Sequence, residues 1–407
     1  MKLLLKIIPP EVERGMKTWR FAKLAVVCVL SACAVSCISP HRACMAALPA
    51  AAFRDTKIKI AFTGDLMAHQ QQLDRAETNG VWDFTPSFEA VRGILSAADF
   101  AVGNLETTLA GGGYAGYPCF STPDSYAEAL KGAGFDLLTT SNNHCLDTGF
   151  DGLARTVKVL RGMGFRTIGT SEKKNESGKP LLCDINGVRA VFVAWTYGTN
   201  GIQPPYGKEW AVSYLSEEAV SRDLAAARSL SPDIIIALPH FGDEYKLAPP
   251  ENVRRDVALM LDCGADAVVA GHPHVLQKFE FVKKSDESGS KRDAFVAWSM
   301  GNFISFQRTK PRDVGAILEL EIEKNPSGTF ITSARVIPTW VQVRTSDGAA
   351  ATRALPFASA LGEPTRWKMR LGDIYKVNEA RQGVVKDVLG LDTAPDAKTL
   401  SFKITKK

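Results

Sequence analysis

Cysteines arranged for disulfides or zinc are what this sequence most clearly lacks. Only eight of its 407 residues are cysteine, and no two have the CxxC spacing of a zinc or redox site. Three fall within residues 28–37, and the other five are scattered and odd in number. This is not a disulfide framework. The five are Cys44, Cys119, Cys145, Cys183 and Cys263.

A surplus of positive charge is missing from the body of the chain. The formal charge is +5, but residues 1–56 alone hold eight Lys and Arg against three acidic residues, so the remainder is formally neutral. Without a basic stripe there is no electrostatic footprint for a nucleic acid, and we predict no nucleic-acid partner. The 45% hydrophobic and 23% charged residues are typical of an ordinary globular protein.

The N-terminal hydrophobic run is short. Residues 24–30 are apolar, fewer than the ~20 residues of a membrane-spanning helix. Lys17, Arg20 and Lys23 precede them, which is the pattern of an export signal. Its true start is Met1 or Met16. The segment 30–33 (LSAC) resembles a bacterial lipobox, in which the cysteine is acylated.

Three interpretations of this segment stay open. We favour a lipoprotein acylated at Cys33, or at Cys37 in the looser segment AVSC. The alternatives are a plain cleaved signal and a retained helical anchor. All three predict an extracytoplasmic protein, and the first and third attach it to the membrane.

Histidines are few, and their positions carry most of the information. Four of the six lie in three short motifs, SNNH (141–144), PHFG (239–242) and GHPH (271–274), each after an apolar run typical of a β-strand. Ligand groups in open α/β sheets gather at the carboxyl edge of the strands. Because imidazole is the commonest neutral metal ligand, the motifs predict a metal site.

Two carboxylate-bearing motifs follow strands in the same way. Asp65 lies in GDLM after the run 58–63, and Asn104 and Glu106 lie in GNLE after residues 100–102. Carboxylate and amide oxygens mixed with imidazoles suit Mn, Zn or Fe better than Ca or Mg. The expected constellation is Asp65, Asn104 or Glu106, Asn143, His144, His240, His272 and His274, with His69 as an additional candidate.

Seven motifs together resemble a known family. GDLM, GNLE, YPCFSTPD, TTSNNHCLDTG, HFGDEY, DAVVAGHPHVLQ and WSMGNFISFQR occur in one order between residues 57 and 308. The chain is similar to the CapA family of bacterial capsule or poly-γ-glutamate synthesis proteins, whose domain resembles the calcineurin-like metallophosphoesterases. The resemblance implies a four-layer α/β/β/α sandwich. It also implies a divalent transition metal (one or two ions of Mn, Zn or Fe).

The resemblance also implies roles for individual residues. His144 would be the catalytic residue, either as a proton donor or as an oxyanion contact, and the metal ligands would be Asp65, Glu106, Asn143, His240, His272 and His274. Met67 stands where the metallophosphoesterases have the His of their first motif, so one metal position is nearly complete and the other is thin. Asp147 is a candidate partner for His144, and Glu244 is a further site candidate in the HFGDEY motif. We interpret Cys145 as structural.

The pattern of elements supports one main α/β domain. Apolar runs alternate with amphipathic stretches in the first two thirds and are consecutive afterwards, which predicts two face-to-face sheets with helices outside. Ser87 is the expected N-cap of a helix that ends near Ala97, and Gly132 is expected to end the next. Residues 197–210 are predicted to form a rim loop and 283–292 a solvated hairpin tip. The predicted limits are 1–56 (signal or anchor), 57–344 (main domain) and 345–407 (C-terminal extension).

Two functions follow from these observations. The first is an exported metal-dependent hydrolase acting on a phosphoester or on the γ-glutamyl amide of an anionic polymer. The second is a non-catalytic, membrane-tethered component that binds the polymer. Both are compatible with partners among capsule-synthesis membrane proteins.

Overall fold

The structure is a computed structural model that describes residues 55–285, 289, 291–343, 351–388, 401–404 and 406. The predicted signal and lipidation segment lies outside these residues. Within them, no helix is long and apolar enough to cross a bilayer.

Two large sheets form the centre of the protein. The first sheet has nine strands, with β16-β15-β14-β1-β4-β5-β6 in order, β13 on β1 and β17 on β15. The strands of the first sheet are β1 (Thr56–Leu66), β4 (Phe100–Leu105), β5 (Leu137–Thr139), β6 (Arg166–Ile168), β13 (Asn302–Ile304), β14 (Val314–Asn325), β15 (Gly328–Val343), β16 (Thr352–Pro356) and β17 (Phe402–Ile404).

The second sheet has six strands in the order β11-β12-β10-β9-β8-β7. Its strands are β7 (Leu181–Ile185), β8 (Val188–Thr196), β9 (Ile234–His240), β10 (Ala267–Val269), β11 (Phe279–Ser285) and β12 (Lys291–Ala297). A small separate ribbon pairs β2 (Glu77–Thr78) with β3 (Val81–Trp82).

Helices cover the outer faces of both sheets. The helices of the described residues are α1 (Gln70–Ala76), α2 (Thr85–Leu95), α3 (Ser125–Ala133), α4 (Gly149–Gly162), α5 (Glu217–Ser229), α6 (Glu251–Asp262), α7 (Phe357–Gly362) and α8 (Leu371–Gly383). In α4, for example, Leu153, Val157 and Leu160 are buried and form the apolar face of the helix.

Alternation along the strands produces the layers. In β9, Ile234 and Ile236 belong to the core between the sheets, whereas Ile235 packs in the outer core with residues of α5 and α6. Successive side chains of a strand point to opposite faces, so a strand that is apolar throughout must be covered on both. The core between the sheets holds side chains from both of them, for example Phe62 and Phe295. The predicted α/β/β/α sandwich is therefore confirmed.

Parallel strands bring the motifs to one edge. β1, β4, β5 and β6 run parallel in the first sheet, and β8, β9 and β10 run parallel in the second. The predicted motifs follow the carboxyl ends of these strands, where loops can project side chains without breaking the sheet.

Three local predictions were wrong. Helix α2 begins at Thr85, so Ser87 lies inside it and is not its N-cap. Helix α3 continues past Gly132 and ends before Gly134, whose φ of +105° only glycine adopts readily. The side chain of Lys284, predicted to lie in a solvated tip, is buried in β11 and donates to Asp266 (3.0 Å).

The tail joins the first sheet. Strands β16 and β17 both pair with β15, and Phe357 and Val377 lie in the core between the sheets. The domain limits 57–344 and 345–407 remain predictions. The described residues of the tail pack on the main domain.

Candidate metal centre

The residues predicted from separate motifs meet at one buried place. Asp65 ends β1 and Glu106 follows β4 of the first sheet, while His240 ends β9 and His272 and His274 follow β10 of the second. Each of the five side chains is at most 3% exposed. Buried carboxylates and imidazoles are costly unless they are paired or bind a ligand, so their concentration here marks a site.

Asp65, Glu106 and His240 form the inner group. Each offers one ligand-type atom within 4.8 Å of the others. Asp65 Oδ1 lies 3.9 Å from His240 Nδ1, and Glu106 Oε1 lies 3.8 Å from His240 Nε2.

Glu244, His272 and His274 form the outer group, with ligand-type atoms again within 4.8 Å of one another. Glu244 is exposed, unlike the two histidines. The sequence placed Glu244 in the HFGDEY motif but not among the expected ligands. Glu244 lies four residues beyond the end of β9. The sequence pattern predicts ligands at or directly after the end of a strand, so it did not indicate Glu244 as a ligand.

Two asparagines contact the inner group. Asn143 Oδ1 lies 2.8 Å from His240 Nε2, so the predicted ligands Asn143 and His240 are adjacent. Asn104 instead donates from Nδ2 to Asp65 Oδ1 (2.9 Å), and its Oδ1 accepts from Thr139 and Asn142 (3.0 and 3.1 Å). Because the oxygen of Asn104 is already occupied, the geometry favours Glu106 over Asn104 as a ligand.

His144 lies at the side of the centre. Its Nδ1 is 2.8 Å from Asp147 Oδ2, which also accepts from the backbone N–H of Phe120 (2.6 Å). The Phe120 ring stands edge-on to the His144 ring at 4.7 Å, and Asn200 Nδ2 lies 3.5 Å from it. A carboxylate and an aromatic ring thus fix the imidazole.

His69 does not belong to either group of ligand-type atoms found among the described residues. Its Nδ1 accepts from the N–H of Phe306 (3.3 Å), and its ring meets Phe120 edge-on at 5.2 Å. Burial lowers the pKa of His69 to about 4. The His69 ring packs against Phe120 beside the site, and His69 is the residue directly before α1.

The two buried carboxylates of the centre, Asp65 and Glu106, have pKa values shifted in opposite directions. Burial raises the pKa of Asp65, but hydrogen bonding and charge from His274 outweigh it and hold this pKa at about 2. Burial and the charge of Asp65 raise the pKa of Glu106 well above its usual range. Burial also lowers the pKa of His272 to about 4 and that of His240 well below normal. Burial therefore favours the neutral form of His240 and His272, which is the form that binds metal.

The donor set fits a divalent transition metal. Glu106 Oε1 and His272 Nδ1 are buried and have no hydrogen-bond partner among the described residues. Buried polar atoms without partners are rare in folded proteins, and a missing ion is a standard reason for them. Three carboxylates, three imidazoles and an amide match the ligands of Mn, Zn or Fe.

The backbone around the histidines is strained. His272 has φ +98° and His274 has φ +58°, both in the left-handed region that costs a side-chain-bearing residue of order 1–3 kcal/mol. At Gly271 a Cβ would lie 2.8 Å from Asp65 Oδ1. The segment 271–274 is thus folded for close approach to Asp65.

Aromatic rings and one cation surround the opening. Tyr197 lies 4.6 Å from the His272 ring and Tyr245 lies 6.0 Å from the His274 ring, and both are exposed. Arg312 lies over Tyr245, with its guanidinium carbon 3.3 Å from the ring centre. The rim loop of residues 197–210, which contains Tyr197, was predicted from the sequence. Arg312 was not predicted, because it lies outside all seven motifs.

Comparison with known proteins agrees with this geometry. The family model of the bacterial capsule synthesis protein PGA_cap matches residues 59–307. The chain belongs to this family. The match confirms the resemblance to CapA proteins, and it spans every residue of the inner and outer groups.

Curated relatives give the same family. The chain is 25% identical over 292 residues to the PGA biosynthesis protein CapA of Bacillus subtilis, covering 68% of this chain and 71% of the relative. It is 24% identical over 296 residues to the capsule biosynthesis protein CapA of Bacillus anthracis, covering 70% and 68%. Among solved structures, the NAD nucleotidase NadN of Haemophilus influenzae overlaps with a TM-score of 0.46 at 15% identity. That overlap covers 85% of this chain and 65% of NadN.

Proposed function

We propose that this PGA_cap family member is an exported, metal-dependent hydrolase of capsule or poly-γ-glutamate synthesis, acting on a phosphoester or a γ-glutamyl amide. The observation that carries the proposal is the pairing of two ligand groups at one buried place, with Glu106 Oε1 and His272 Nδ1 left without partners. A structural role for so many buried titratable side chains would leave those two atoms unexplained.

Asp65, Glu106, Asn143 and His240 would hold one ion, and Glu244, His272 and His274 a second. A bound divalent ion supplies a Lewis acid that polarises the scissile group and makes water a nucleophile near neutral pH. Asp65 accepts from His274 Nδ1 (3.1 Å), which keeps the proton on that nitrogen and leaves Nε2 free to bind.

His144 handles the proton of the leaving group. Asp147 accepts from its Nδ1, so the ring is oriented and Nε2 is the atom that gives a proton to the departing oxygen or nitrogen. The water that is consumed supplies the hydroxyl of the other product and returns a proton to Nε2. The Phe120 ring beside His144 limits access of bulk solvent to this transfer.

The N-terminal sequence supports the location in this proposal. Lys17, Arg20 and Lys23 before an apolar run are typical of export. Acylation at Cys33 or Cys37 would tether the protein outside the cytoplasm beside capsule-synthesis membrane proteins. Metabolic labelling with a fatty acid, compared with Cys33→Ala and Cys37→Ala variants, tests the tether.

A second function is favoured by one observation. Met67 stands where the metallophosphoesterases have a histidine, and it is buried, with its carbonyl accepting from Gln72 and Tyr126 (2.9 and 3.2 Å). A protein that has lost this ligand could hold an anionic polymer without cleaving it.

Elemental analysis of the purified full-length protein separates the two functions. We expect about one or two Mn, Zn or Fe ions per chain, lost in the double variant His240→Ala, His272→Ala and kept in the control Asp151→Asn, which alters an exposed side chain of α4. Hydrolysis would then be screened with phosphoesters and γ-glutamyl amides. A wild-type protein that stays metal-free even after reloading contradicts the hydrolase and favours the polymer-binding component.

A further inference from the structure

The loop between β13 and β14 carries a cation that is tied to the metal centre. The backbone carbonyl of Arg312 accepts from Asn302 Nδ2 (2.9 Å), and Asn302 Oδ1 lies 3.1 Å from His274 Nδ1. Asn302 is fully buried. One rigid amide therefore connects the backbone of Arg312 to a candidate ligand.

The side chain of Arg312 is directed to the mouth of the site. Its guanidinium carbon is 3.3 Å from the centre of the Tyr245 ring, which is 6.0 Å from the His274 ring. The Tyr245 ring is thus a neighbour of both the guanidinium and the His274 ring, and it places the arginine beside the metal centre. Tyr245 is itself fixed, because its N–H donates to Pro273 O (2.8 Å) within the GHPH segment.

The charge of Arg312 is not matched by a carboxylate. The neighbouring cations have partners, since Arg308 lies 3.7 Å from Asp313 and Lys310 pairs with Glu379. Among the described residues, no carboxylate lies within ion-pair distance of Arg312. Stacking on an aromatic face orients a guanidinium and leaves its N–H edge free for a planar anion.

An anionic substrate would be attracted by metal ions at the centre, but part of their charge would be offset by the carboxylates that hold them, among them Asp65 and Glu244. A fixed arginine beside the centre adds positive charge that no carboxylate offsets, and it can bind two oxygens at once.

We propose that Arg312, held over Tyr245, binds an oxyanion of the substrate, a carboxylate or a phosphate, beside the metal centre. The inference rests on the proposed function for the presence of a reacting bond there. It assigns to Arg312 the recognition of charge, and to the metal ligands the chemistry.

The alternative is that the arginine only stabilises the loop by stacking. Arg312→Lys separates the two, because lysine keeps the charge and part of the stacking but loses the two-oxygen fork. Lys310→Gln is the matched control, since it removes one positive charge from the same loop at a side chain that pairs with Glu379.

The test is direct binding to the full-length protein by calorimetry, with phenyl phosphate and a γ-glutamyl oligopeptide as separate probes. We expect Arg312→Gln to weaken the probe that binds by at least about tenfold, with Arg312→Lys between it and wild type. Lys310→Gln should bind as wild type. The probe that responds identifies the oxyanion as phosphate or carboxylate.

Two results would overturn the assignment. Equal binding by wild type and Arg312→Gln would show that the arginine only stacks, and failure of both probes to bind wild type would remove the subsite. Metal content is measured in parallel on every variant. Loss of the proposed hydrolase function would appear as a metal-free wild type, whereas failure of the Arg312 inference leaves the metal in place.

Discussion

Asp65 and Asn302 contact the same atom, the Nδ1 of His274, each at 3.1 Å. They are register partners on the parallel strands β1 and β13. Because Asp65 Oδ2 and Asn302 Oδ1 are both hydrogen-bond acceptors, this geometry favours a proton on Nδ1 that the two oxygens share. The orientation of a candidate ligand from the second sheet is therefore set by two strands of the first.

Asn302→Ala should weaken metal binding without unfolding the protein. Removing an outer partner of a metal-binding histidine typically lowers metal affinity by about 10–100-fold. Competition with a chelator measures the change, and Asn378→Ala, an exposed asparagine of α8, is the control. Unchanged affinity would mean that Asp65 alone orients His274.

Glu244→Gln should remove one of the two metal positions. Glu244 is the carboxylate of the outer group, and its neutral amide is a much weaker ligand. We expect metal content to fall by about half if both positions are filled, with Asp243→Asn at wild-type content. An equal loss in both variants would point to general surface charge.

Asp147→Asn should slow turnover while leaving metal content unchanged. The variant cannot accept equally from His144 Nδ1 and the Phe120 N–H, so the imidazole loses its orientation. A loss of about 10²–10⁴ in kcat is expected for a misoriented acid–base histidine. The control is Asp151→Asn, an exposed residue of α4. An unaltered pH–rate profile in Asp147→Asn would contradict the pairing of His144 with Asp147.

Gly64→Ala should destabilise the fold by more than about 2 kcal/mol. A Cβ at Gly64 would lie 1.9 Å from the carbonyl oxygen of Gly301, because the residue just before β13 lies directly against β1. A Cβ at Gly93, which is exposed in α2, would meet no other atom within 4 Å, so Gly93→Ala should gain about 0.5–1 kcal/mol. Chemical denaturation measures both changes, and equal midpoints would refute the close contact.

Cys145 should resist alkylation at pH 8. Burial raises its pKa to about 12, so only about one thiol in 10⁴ is ionised at that pH. Cys119 is exposed and should be labelled first, as mass spectrometry of the peptides would show. The prediction is wrong if Cys145 reacts as fast as Cys119, and Cys119→Ser confirms the assignment of the fast phase.

Local pattern explains why much of the fold was predictable. Apolar runs indicated strands such as β1 and β9, both largely buried in the structure, and the amphipathic stretches between such runs indicated helices. Short strands such as β13 carry too few residues for any period to emerge. β13 matters most, because it brings Asn302 beside Asp65 from 237 residues away.

The site residues that could be predicted from the sequence are those at or shortly after the ends of strands. Asp65, Glu106, Asn143, His240, His272 and His274 do meet at one place, although their roles as ligands remain a prediction. Glu244 was predicted as a site candidate but not as a metal ligand, and Arg312 was not predicted at all. They lie on loops whose course depends on packing against Pro273 and Asn302, and no short-range pattern encodes that.

The sequence by itself determined which carboxylate, amide and imidazole side chains lie at the carboxyl edge of the sheets. Residue type and position after a strand are local properties that the sequence carries directly. It also determined the family, through seven motifs in one order. Only the tertiary structure favours Glu106 over Asn104 as the candidate ligand, because the oxygen of Asn104 accepts hydrogen bonds from Thr139 and Asn142 on neighbouring segments. Which side chains face each other across two sheets depends on strand register and layer packing, and these are settled only when the whole core forms.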